Sequence, residues 1–490
     1  MEWPLGTDPC DLDAVEARRL IGAKRLSPVE LLESCIARVE AVDHAVNAMV
    51  ARDFDRARAA ARAAEQAVMR GDRLGPLHGL PVGIKDLEET AGLRTTFGSP
   101  LFQDHVPAAD EAGVARLRAA GAIVLGKTNT PEFGAGANTR NAVYGATGNP
   151  FDPAKSCAGS SGGSAVALAT GMVPIASGSD TGGSLRNPAS FCGVVGFRPT
   201  PGVVPHERGL RGFSPLSVHG PMARTVADAC LMLSAMASDD PRDPFAPRQV
   251  DTFFPARPVD LAGLRVAFTP DFDFAPVERT VRAAFAAAAD RIRPHVAAAI
   301  DGTPDCTGTD ESFAVLRAVG FLAGHGEKVR LHPDRVGPNV RDNVAEGLRY
   351  SAADVARAEV AQTALYRRWV RFLQDVDVVI SPAITISPRS WRELYPARID
   401  EIATASYFHW LAMAYAVSLV GLPAVCVPAG LDAAGMPFGV QVVGARGADA
   451  FVLAAAAAIE QVLPPRPAPD LARLRATPPI RDMPGFLGFA

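Results

Sequence analysis

The stretch GSSGGSAVALATG, residues 159–171, is followed closely by SDTGGS, residues 179–184, and these two motifs are the strongest indication of the fold. Glycines beside a serine let backbone N–H groups approach a ligand and point the same way, as a phosphate cradle or an oxyanion hole requires. Neither motif ends in the Gly-Lys-Ser/Thr of a P-loop, and the GxGxxG dinucleotide pattern is missing here. The pair favours an oxyanion hole, and the alternative is two tight turns in a chain with 44 glycines.

Outward from these motifs, short apolar runs bounded by glycine and proline predict buried strands. Such runs lie at residues 80–84, 122–125, 194–197, 264–268 and 376–380. Helical segments such as residues 109–120 separate some of them. This alternation predicts an α/β protein whose sheet is covered on both faces.

Sequence patterns outside these runs predict further elements. Residues 1–71 are predicted to be helical, because Ser27-Pro28-Val29-Glu30 is a capping box followed by apolar residues at helical spacing. We expect this segment to pack on an α/β core formed by residues 72–490, so that the chain is one structural domain. Within the core, residues 304–359 are predicted to form a helical lobe, and residues 423–444 predict two strands joined by a turn.

The composition excludes several classes of protein. Of 490 residues, 48% are hydrophobic and 21% are charged, which suits a globular protein with a large core. A formal net charge of -4 provides no basic face, so nucleic acid is not an expected partner. The longest apolar run, residues 451–459, is too short to span a membrane, and no secretory signal pattern is visible. We therefore expect a cytoplasmic protein without a membrane partner.

The cysteines, histidines and lysines indicate which catalytic groups the chain can supply. The seven cysteines lie far apart without a CxxC pair, which argues against a disulfide framework and a metal cluster. None of the nine histidines lies in a recognisable triad motif. Only five of the 49 basic residues are lysines, and Lys85 directly follows the apolar run 80–84. A buried lysine can be neutral and act as a base, whereas the alternative is a strand-end lysine that reaches solvent.

These motifs resemble those of the amidase signature family, hydrolases with a Ser, cis-Ser, Lys triad. The resemblance covers most of the chain, from about residue 77 to 225 and from about 375 to 447. Five segments carry it: GLPVGIKD (79–86), GAIVLGKTNTPEF (121–133), GNPFDPAKSCAGSSGGSAVALATG (148–171), SDTGGSLRNPASFCGVVGFRPT (179–200) and GPMARTVAD (220–228). One departure is Ala158, which stands where the family usually has a glycine.

The resemblance implies a role for each matching residue. Lys85 corresponds to the base, Ser160 to the bridging serine on a cis peptide, and Ser184 to the nucleophile. The backbone donors of the oxyanion hole correspond to Thr181, Gly182, Gly183 and Ser184. Supporting positions correspond to Asp180 and Arg186, and Ser161 to a structural serine.

The resemblance also implies a fold and an activity. The expected fold is a single α/β domain with a mixed central sheet flanked by helices. The expected activity is hydrolysis of a C–N bond in a small-molecule amide, anilide or carbamate (urethane), without a metal or organic cofactor. A homodimer is left open. One rival is the A subunit of glutamyl-tRNA amidotransferase, and another is a non-catalytic amidase-like binding protein, against which the complete triad argues.

Two segments are candidates for the substrate pocket. One is Phe133, Gly134, Ala135 and Gly136, and the other contains Tyr407, Phe408, Trp410, Met413 and Tyr415. Core packing explains the second, aromatic segment equally well. Walls of small and aromatic residues predict a neutral, partly apolar acyl or aryl group, and no ionic pair for the ammonium and carboxylate of glutamine can be assigned.

Overall fold

The computed structural model describes residues 8–487, so the outer ends of the predicted ranges 1–71 and 72–490 lie outside the described residues. Fifteen strands are present in this part of the chain. They are β1 (Met49–Arg52), β2 (Pro81–Lys85), β3 (Ile123–Thr128), β4 (Arg140–Asn141), β5 (Gly145–Ala146), β6 (Ile175–Asp180), β7 (Val195–Arg198), β8 (Val218–Ala223), β9 (Arg265–Phe268), β10 (Ala298–Asp301), β11 (Val378–Pro382), β12 (Arg398–Ile399), β13 (Ile402–Ala403), β14 (Ala424–Leu431) and β15 (Pro437–Val443).

Fourteen α-helices accompany these strands between residues 8 and 487. They are α1 (Ala14–Gly22), α2 (Pro28–Val46), α3 (Phe54–Arg70), α4 (Ala112–Ala119), α5 (Gly162–Ala169), α6 (Arg186–Cys192), α7 (Val226–Met236), α8 (Arg279–Ile292), α9 (Thr309–Leu331), α10 (Pro338–Arg349), α11 (Ala352–Asp375), α12 (Ala412–Leu419), α13 (Asp449–Val462) and α14 (Leu471–Ala476). Over the described residues, no helix combines the length and the apolar character that crossing a membrane requires.

Eleven of the strands form one mixed sheet in the order β1-β3-β2-β6-β8-β7-β14-β15-β11-β9-β10. Strand β2 runs parallel to β3 and β6, whereas β6 and β8 are antiparallel. Every residue of β2, β3 and β8 is buried, as expected where helices cover both faces of a sheet. The predicted α/β fold with a mixed central sheet flanked by helices is confirmed, and each of the five apolar runs overlaps a strand of it.

Residues 8–71 contain one strand that the sequence did not indicate. Helix α2 begins at the predicted capping box, in which the Ser27 hydroxyl accepts from Val29 N and the Glu30 carboxylate accepts from Ser27 N. After α2 ends, residues 49–52 form β1, which pairs antiparallel with β3 at the edge of the large sheet. A strand of four residues is too short for its periodicity to be recognised, so its partner in the sheet determines its conformation.

The segment 304–359 is mainly helical, as its pattern predicts, and supplies α9, α10 and the first turns of α11. The two strands predicted within residues 423–444 are β14 and β15, which pair antiparallel. Between them, Gly435 has a φ of 72° and supplies the left-handed conformation that the turn needs. These elements place α9 beside the ends of β2 and β6, where the candidate site lies.

Candidate active site

Lys85 is the last residue of β2, and its side chain is completely buried. Its Nζ lies 2.7 Å from Ser160 Oγ, 2.9 Å from Ser161 Oγ and 2.9 Å from Ser179 Oγ. Burial penalises the charged ammonium and lowers the pKa of Lys85 to about 7, although two neighbouring carboxylates oppose the change. At neutral pH a substantial fraction of this lysine is therefore an uncharged amine.

The two glycine- and serine-rich motifs form adjoining loops. The peptide bond between Gly159 and Ser160 is cis, and Ser160 lies just before α5, whereas Ser184 lies just before α6. The loops are joined by a hydrogen bond in which Ser161 N donates to the Ser184 carbonyl at 3.2 Å. Ser160 and Ser184 line the same cavity. Within residues 8–487 the Ser184 hydroxyl has no hydrogen-bond partner, so it is free to meet a ligand.

Asp180, at the end of β6, forms an ion-pair cluster beneath the second loop. Its carboxylate accepts from Arg186 Nε at 3.1 Å and Arg198 Nη1 at 3.0 Å, and all three side chains are completely buried. Burial opposes the charge of Asp180, but the two guanidinium groups hold the pKa of this carboxyl well below its usual range. The sequence indicated Asp180 and Arg186 and missed Arg198, although an arginine that ends the apolar run 194–197 was an available signal.

The same carboxylate fixes the backbone that follows it. Gly183 N donates to Asp180 Oδ1 at 2.8 Å, and Leu185 N donates to Asp180 Oδ2 at 3.2 Å. Gly183 has a φ of 105°, and a Cβ at this position would lie 2.4 Å from the Ala414 Cβ, so only glycine fits. In this structure the Asp180 carboxylate already accepts the Gly183 N–H that is expected to bind an oxyanion.

The other three predicted donors remain available. In the described part of the chain, no acceptor is hydrogen-bonded to the backbone N–H groups of Thr181, Gly182 and Ser184. These three residues line the cavity. Free N–H groups that follow one another in a loop can receive a developing negative charge on an oxygen.

The cluster leads to a prediction about stability. Asp180→Asn is expected to lower the free energy of unfolding by about 3–5 kcal/mol, because two buried arginines would lose their carboxylate. Urea denaturation of the variant and the wild type measures the difference. Asp334→Asn, at an exposed position, is the matched control and should change stability by less than about 0.5 kcal/mol. Equal stability of Asp180→Asn and wild type would contradict the bracing role of this cluster.

The serines open onto a cavity of about 510 Å³. Ser160, Ser179 and Ser184 lie on one side of it, and the segment 201–219 forms another part of its wall. Gly134, with a φ of 71°, comes so close to the first loop that a Cβ would lie 3.5 Å from Ser160 Oγ. The cavity can therefore hold a small organic molecule beside the lysine and serines.

Of the first candidate pocket segment, Phe133, Gly134 and Gly136 line the cavity and Ala135 does not. Ala135 packs instead in a separate apolar cluster with Val336 and Val340. Phe133 and Gly134 have positive φ values of 48° and 71°, which turn the chain and direct Ala135 away from the cavity. The structure therefore places Ala135 outside the cavity wall.

In contrast, none of the five residues named in the second candidate segment lines the cavity. The residues concerned are Tyr407, Phe408, Trp410, Met413 and Tyr415, and the lining residue nearby is Leu411. The Tyr415 ring stacks on the Phe313 ring with 4.3 Å between centroids, and Phe313 belongs to the cavity wall. The aromatic segment thus supports the wall from behind, which is the core-packing alternative.

Helix α9 provides the wall that the sequence did not assign. Its lining residues are Phe313, Leu316, Arg317, Gly320, Phe321, Gly324 and His325. The pattern of residues 304–359 indicated a helical lobe, but not which face would be turned towards the serines. The wall combines aromatic rings with charge, so the cavity is less neutral than the two candidate segments suggested.

Histidine and cysteine are the other side chains that could supply a base or a nucleophile. His206, His219 and His325 line the cavity, but no hydrogen bond joins any of them to Ser160 or Ser184 in the described residues. The seven cysteines are free and buried. Burial raises the pKa of the Cys157 thiol to about 12, and this side chain does not reach the cavity. The arrangement favours serine and lysine chemistry.

A family profile described as Amidase matches residues 30–305 and 328–453. The chain is similar to an acylamidase from Rhodococcus erythropolis, with 36% identity over 462 residues that cover 92% of this chain and 96% of the relative. It is also similar to the A subunit of glutamyl-tRNA(Gln) amidotransferase from Anaeromyxobacter sp. (strain K), with 35% identity and coverage of 94% of this chain and 98% of that protein.

A solved structure shares the whole fold. The structure of a bacterial aryl acylamidase of the amidase signature enzymes family superposes with a TM-score of 0.87 and 27% sequence identity. The superposition covers 95% of this chain and 98% of that structure. The agreement extends over the large mixed sheet and its flanking helices.

Proposed function

The chain belongs to the amidase family, and from this premise we propose that it hydrolyses aryl amides through an acyl-enzyme formed on Ser184. The observation that carries the proposal is the buried Lys85 amine, 2.7 Å from Ser160 Oγ, with its pKa lowered to about 7. A base is most effective when its pKa lies near the working pH. Ser160, which this amine contacts, and Ser184 line the same cavity.

The hydrogen-bond inventory of Lys85 suggests the direction of proton transfer. A neutral amine carries two hydrogens and one lone pair, so only two of its three serine neighbours can accept from it. The third must donate to the lone pair, and Ser160 has the shortest contact. Ser160 would then pass its proton to Lys85 and receive the proton of Ser184 as that hydroxyl attacks the substrate carbonyl.

The remaining steps use the same groups. The tetrahedral oxyanion would be stabilised by the free N–H groups of Thr181, Gly182 and Ser184, with Gly183 bound to Asp180 and holding the loop in shape. The proton on Lys85 would return through Ser160 to the leaving nitrogen, which amides need because an amide anion is a poor leaving group. Water would then hydrolyse the ester on Ser184 by the same relay.

The substrate class follows from the cavity walls and the relatives. Phe133, Phe313 and Phe321 line the cavity, and burying apolar surface against them would contribute about 25 cal/mol per Å². Acylamidase and aryl acylamidase are among the similar proteins. A carbamate presents the same carbonyl oxygen and nitrogen leaving group, so we extend the proposal to aryl carbamates.

The proposal predicts a substrate order. An acyl 4-nitroanilide is expected to have a higher kcat/KM than free glutamine or asparagine, with an aryl carbamate also hydrolysed. Measuring kcat/KM for these classes on one preparation of the isolated chain tests the order. A clear preference for glutamine would contradict the proposal and support the glutaminase activity of an amidotransferase. Binding without turnover of any of them would favour the non-catalytic alternative.

A further inference from the structure

Two arginines of the cavity wall have no carboxylate within ion-pair distance in the described residues, although Glu346 on α10 attracts the Arg317 guanidinium from farther away. Arg317, on α9, is only 7% exposed, and Arg211, in the loop between β7 and β8, is half-buried. Both line the cavity. Neither guanidinium forms an ion pair anywhere between residues 8 and 487. A buried guanidinium without a paired carboxylate is unfavourable. An anionic ligand bound in the cavity would provide the missing partner.

The Arg317 guanidinium is held in a fixed orientation. Its Nε donates to the Tyr407 hydroxyl at 2.7 Å, its Nη2 donates to the same oxygen, and Asn343 Nδ2 donates to that oxygen at 2.8 Å. The Phe321 and Tyr407 ring centroids lie 4.6 and 5.1 Å from Cζ. Its Nη1 has no acceptor in the described residues, and this leaves a preorganised donor for a ligand.

Arg211 is directed to the same turn of α9. Its Nη1 donates to the carbonyl of Leu316, the residue before Arg317, at 3.2 Å. Leu316 lines the cavity together with both arginines. The two positive side chains therefore belong to one section of the wall.

The carboxylates that line the cavity are not paired with either arginine in the described residues. Glu89 is ion-paired with Arg208. Asp243 accepts the backbone N–H groups of His206 at 3.0 Å and Phe245 at 2.8 Å. A third acid, Glu111, is largely uncharged at neutral pH, because burial raises its pKa to about 8. The α9 residues that line the cavity include Arg317 and no acidic residue.

We propose that Arg211 and Arg317 form a carboxylate-binding subsite, so that the preferred substrates are aryl amides that carry a carboxylate on the acyl or the amine portion. The inference rests on the proposed amide hydrolysis in the same cavity. Arginine side chains donate charge-assisted hydrogen bonds to a carboxylate. The neighbouring aromatic rings can pack against the aryl group of the same substrate. To bind the ammonium of free glutamine the cavity would need an available carboxylate, but Glu89 already pairs with Arg208 and Asp243 already accepts two backbone N–H groups.

Two matched pairs of substrates test the subsite and locate it. The first pair is the 4-nitroanilides of succinic acid and butyric acid, which differ by a carboxylate on the acyl side. The second is N-butyryl-4-aminobenzoate and N-butyryl-4-methylaniline, which differ on the amine side. In at least one pair the carboxylate member should have a kcat/KM about 10-fold or more above its neutral partner, mainly through a lower KM.

Substitutions distinguish carboxylate binding by the two arginines from a purely structural role. Arg317→Gln should remove the preference, lowering kcat/KM for the carboxylate substrate about 10-fold or more and leaving the neutral one within about 2-fold. Arg211→Gln, in the loop, should weaken the preference even if Arg317→Gln does not fold. Arg208→Gln, at a cavity arginine already paired with Glu89, is the control and should keep the preference.

The outcomes distinguish the two proposals. Equal kcat/KM within both pairs for the wild type, or an unchanged preference in Arg211→Gln and any folded Arg317→Gln, would overturn the carboxylate subsite and leave amide hydrolysis intact. Absence of turnover for all four compounds by the wild-type chain would overturn the proposed function as well.

Discussion

Replacing Ser184 with alanine is expected to give a folded protein whose kcat falls by at least about 1,000-fold, because the acyl-accepting hydroxyl is lost while the loop remains. The Gly183 and Leu185 N–H groups that hold this loop donate to Asp180, and neither bond involves the Ser184 side chain. The unfolding midpoint should therefore stay close to that of the wild type. Nitroanilide hydrolysis at saturating substrate measures the loss.

Ser217→Ala is the matched control for this experiment. Ser217 is an exposed serine that lines the same cavity, and it lies outside the cluster around Lys85. Its substitution should leave kcat within about 2-fold of the wild type. If Ser184→Ala kept more than about one percent of wild-type turnover, another nucleophile would have to be sought.

Lys85→Arg should be as damaging to turnover as Lys85→Ala, each with a loss of about 1,000-fold or more. Arginine keeps the positive charge but cannot give up its proton, and the proposed relay needs a neutral base. Circular dichroism and the unfolding midpoint identify folded variants, and Lys24→Arg, at an exposed position, is the control. Substantial activity in folded Lys85→Arg would mean that the lysine serves as a fixed charge, and the base proposal would fail.

The pH dependence provides a second readout for Lys85. Its pKa is lowered to about 7, so the amine is protonated and inactive at pH 5 and largely neutral above pH 8. Wild-type kcat/KM should therefore rise with pH through about 7 and level off in mildly alkaline solution. Activity that stays flat from about pH 5 to 9 would contradict a role for Lys85 as the base.

Much of the architecture was predictable because its signals are local. The apolar run 80–84 identified β2 and the position of Lys85 at its end, and Ser27 with Glu30 marked the start of α2. The two glycine- and serine-rich motifs indicated the loops that the structure brings together beside Lys85. These features depend on short segments whose conformation their own residues largely determine.

The cavity wall was less predictable because it depends on contacts between distant segments. Leu316 and Arg317 on α9 meet the loop of Arg211, which lies far away in the sequence. The aromatic segment that contains Tyr415 is one of the two candidates for the pocket, but the Tyr415 ring stacks behind Phe313. Helical periodicity shows that such residues share a face, and only the packing determines what that face contacts.

Gly183 illustrates a further limit of sequence reasoning. The motif predicted four equivalent N–H donors, whereas the structure commits the Gly183 donor to Asp180. Asp180 is in turn held by Arg186 and by Arg198, which belongs to β7. A donor's availability depends on every acceptor around it, so a motif can identify the loop without showing which of its N–H groups are free.

The most direct test of the account is to locate the acyl group of the trapped intermediate. Brief incubation with an O-aryl N-alkylcarbamate, from which the phenol leaves and a slowly hydrolysed carbamoyl group stays on the enzyme, is followed by acid quenching, trypsin digestion and mass spectrometry, which would show which residue is modified. Trypsin cleavage after Lys155 and Arg186 leaves Ser160 and Ser184 in one peptide, so fragment ions between the two serines must assign the site. The account predicts a single adduct on Ser184 that is absent from Ser184→Ala, and an adduct on Ser160 or on any other residue would contradict it.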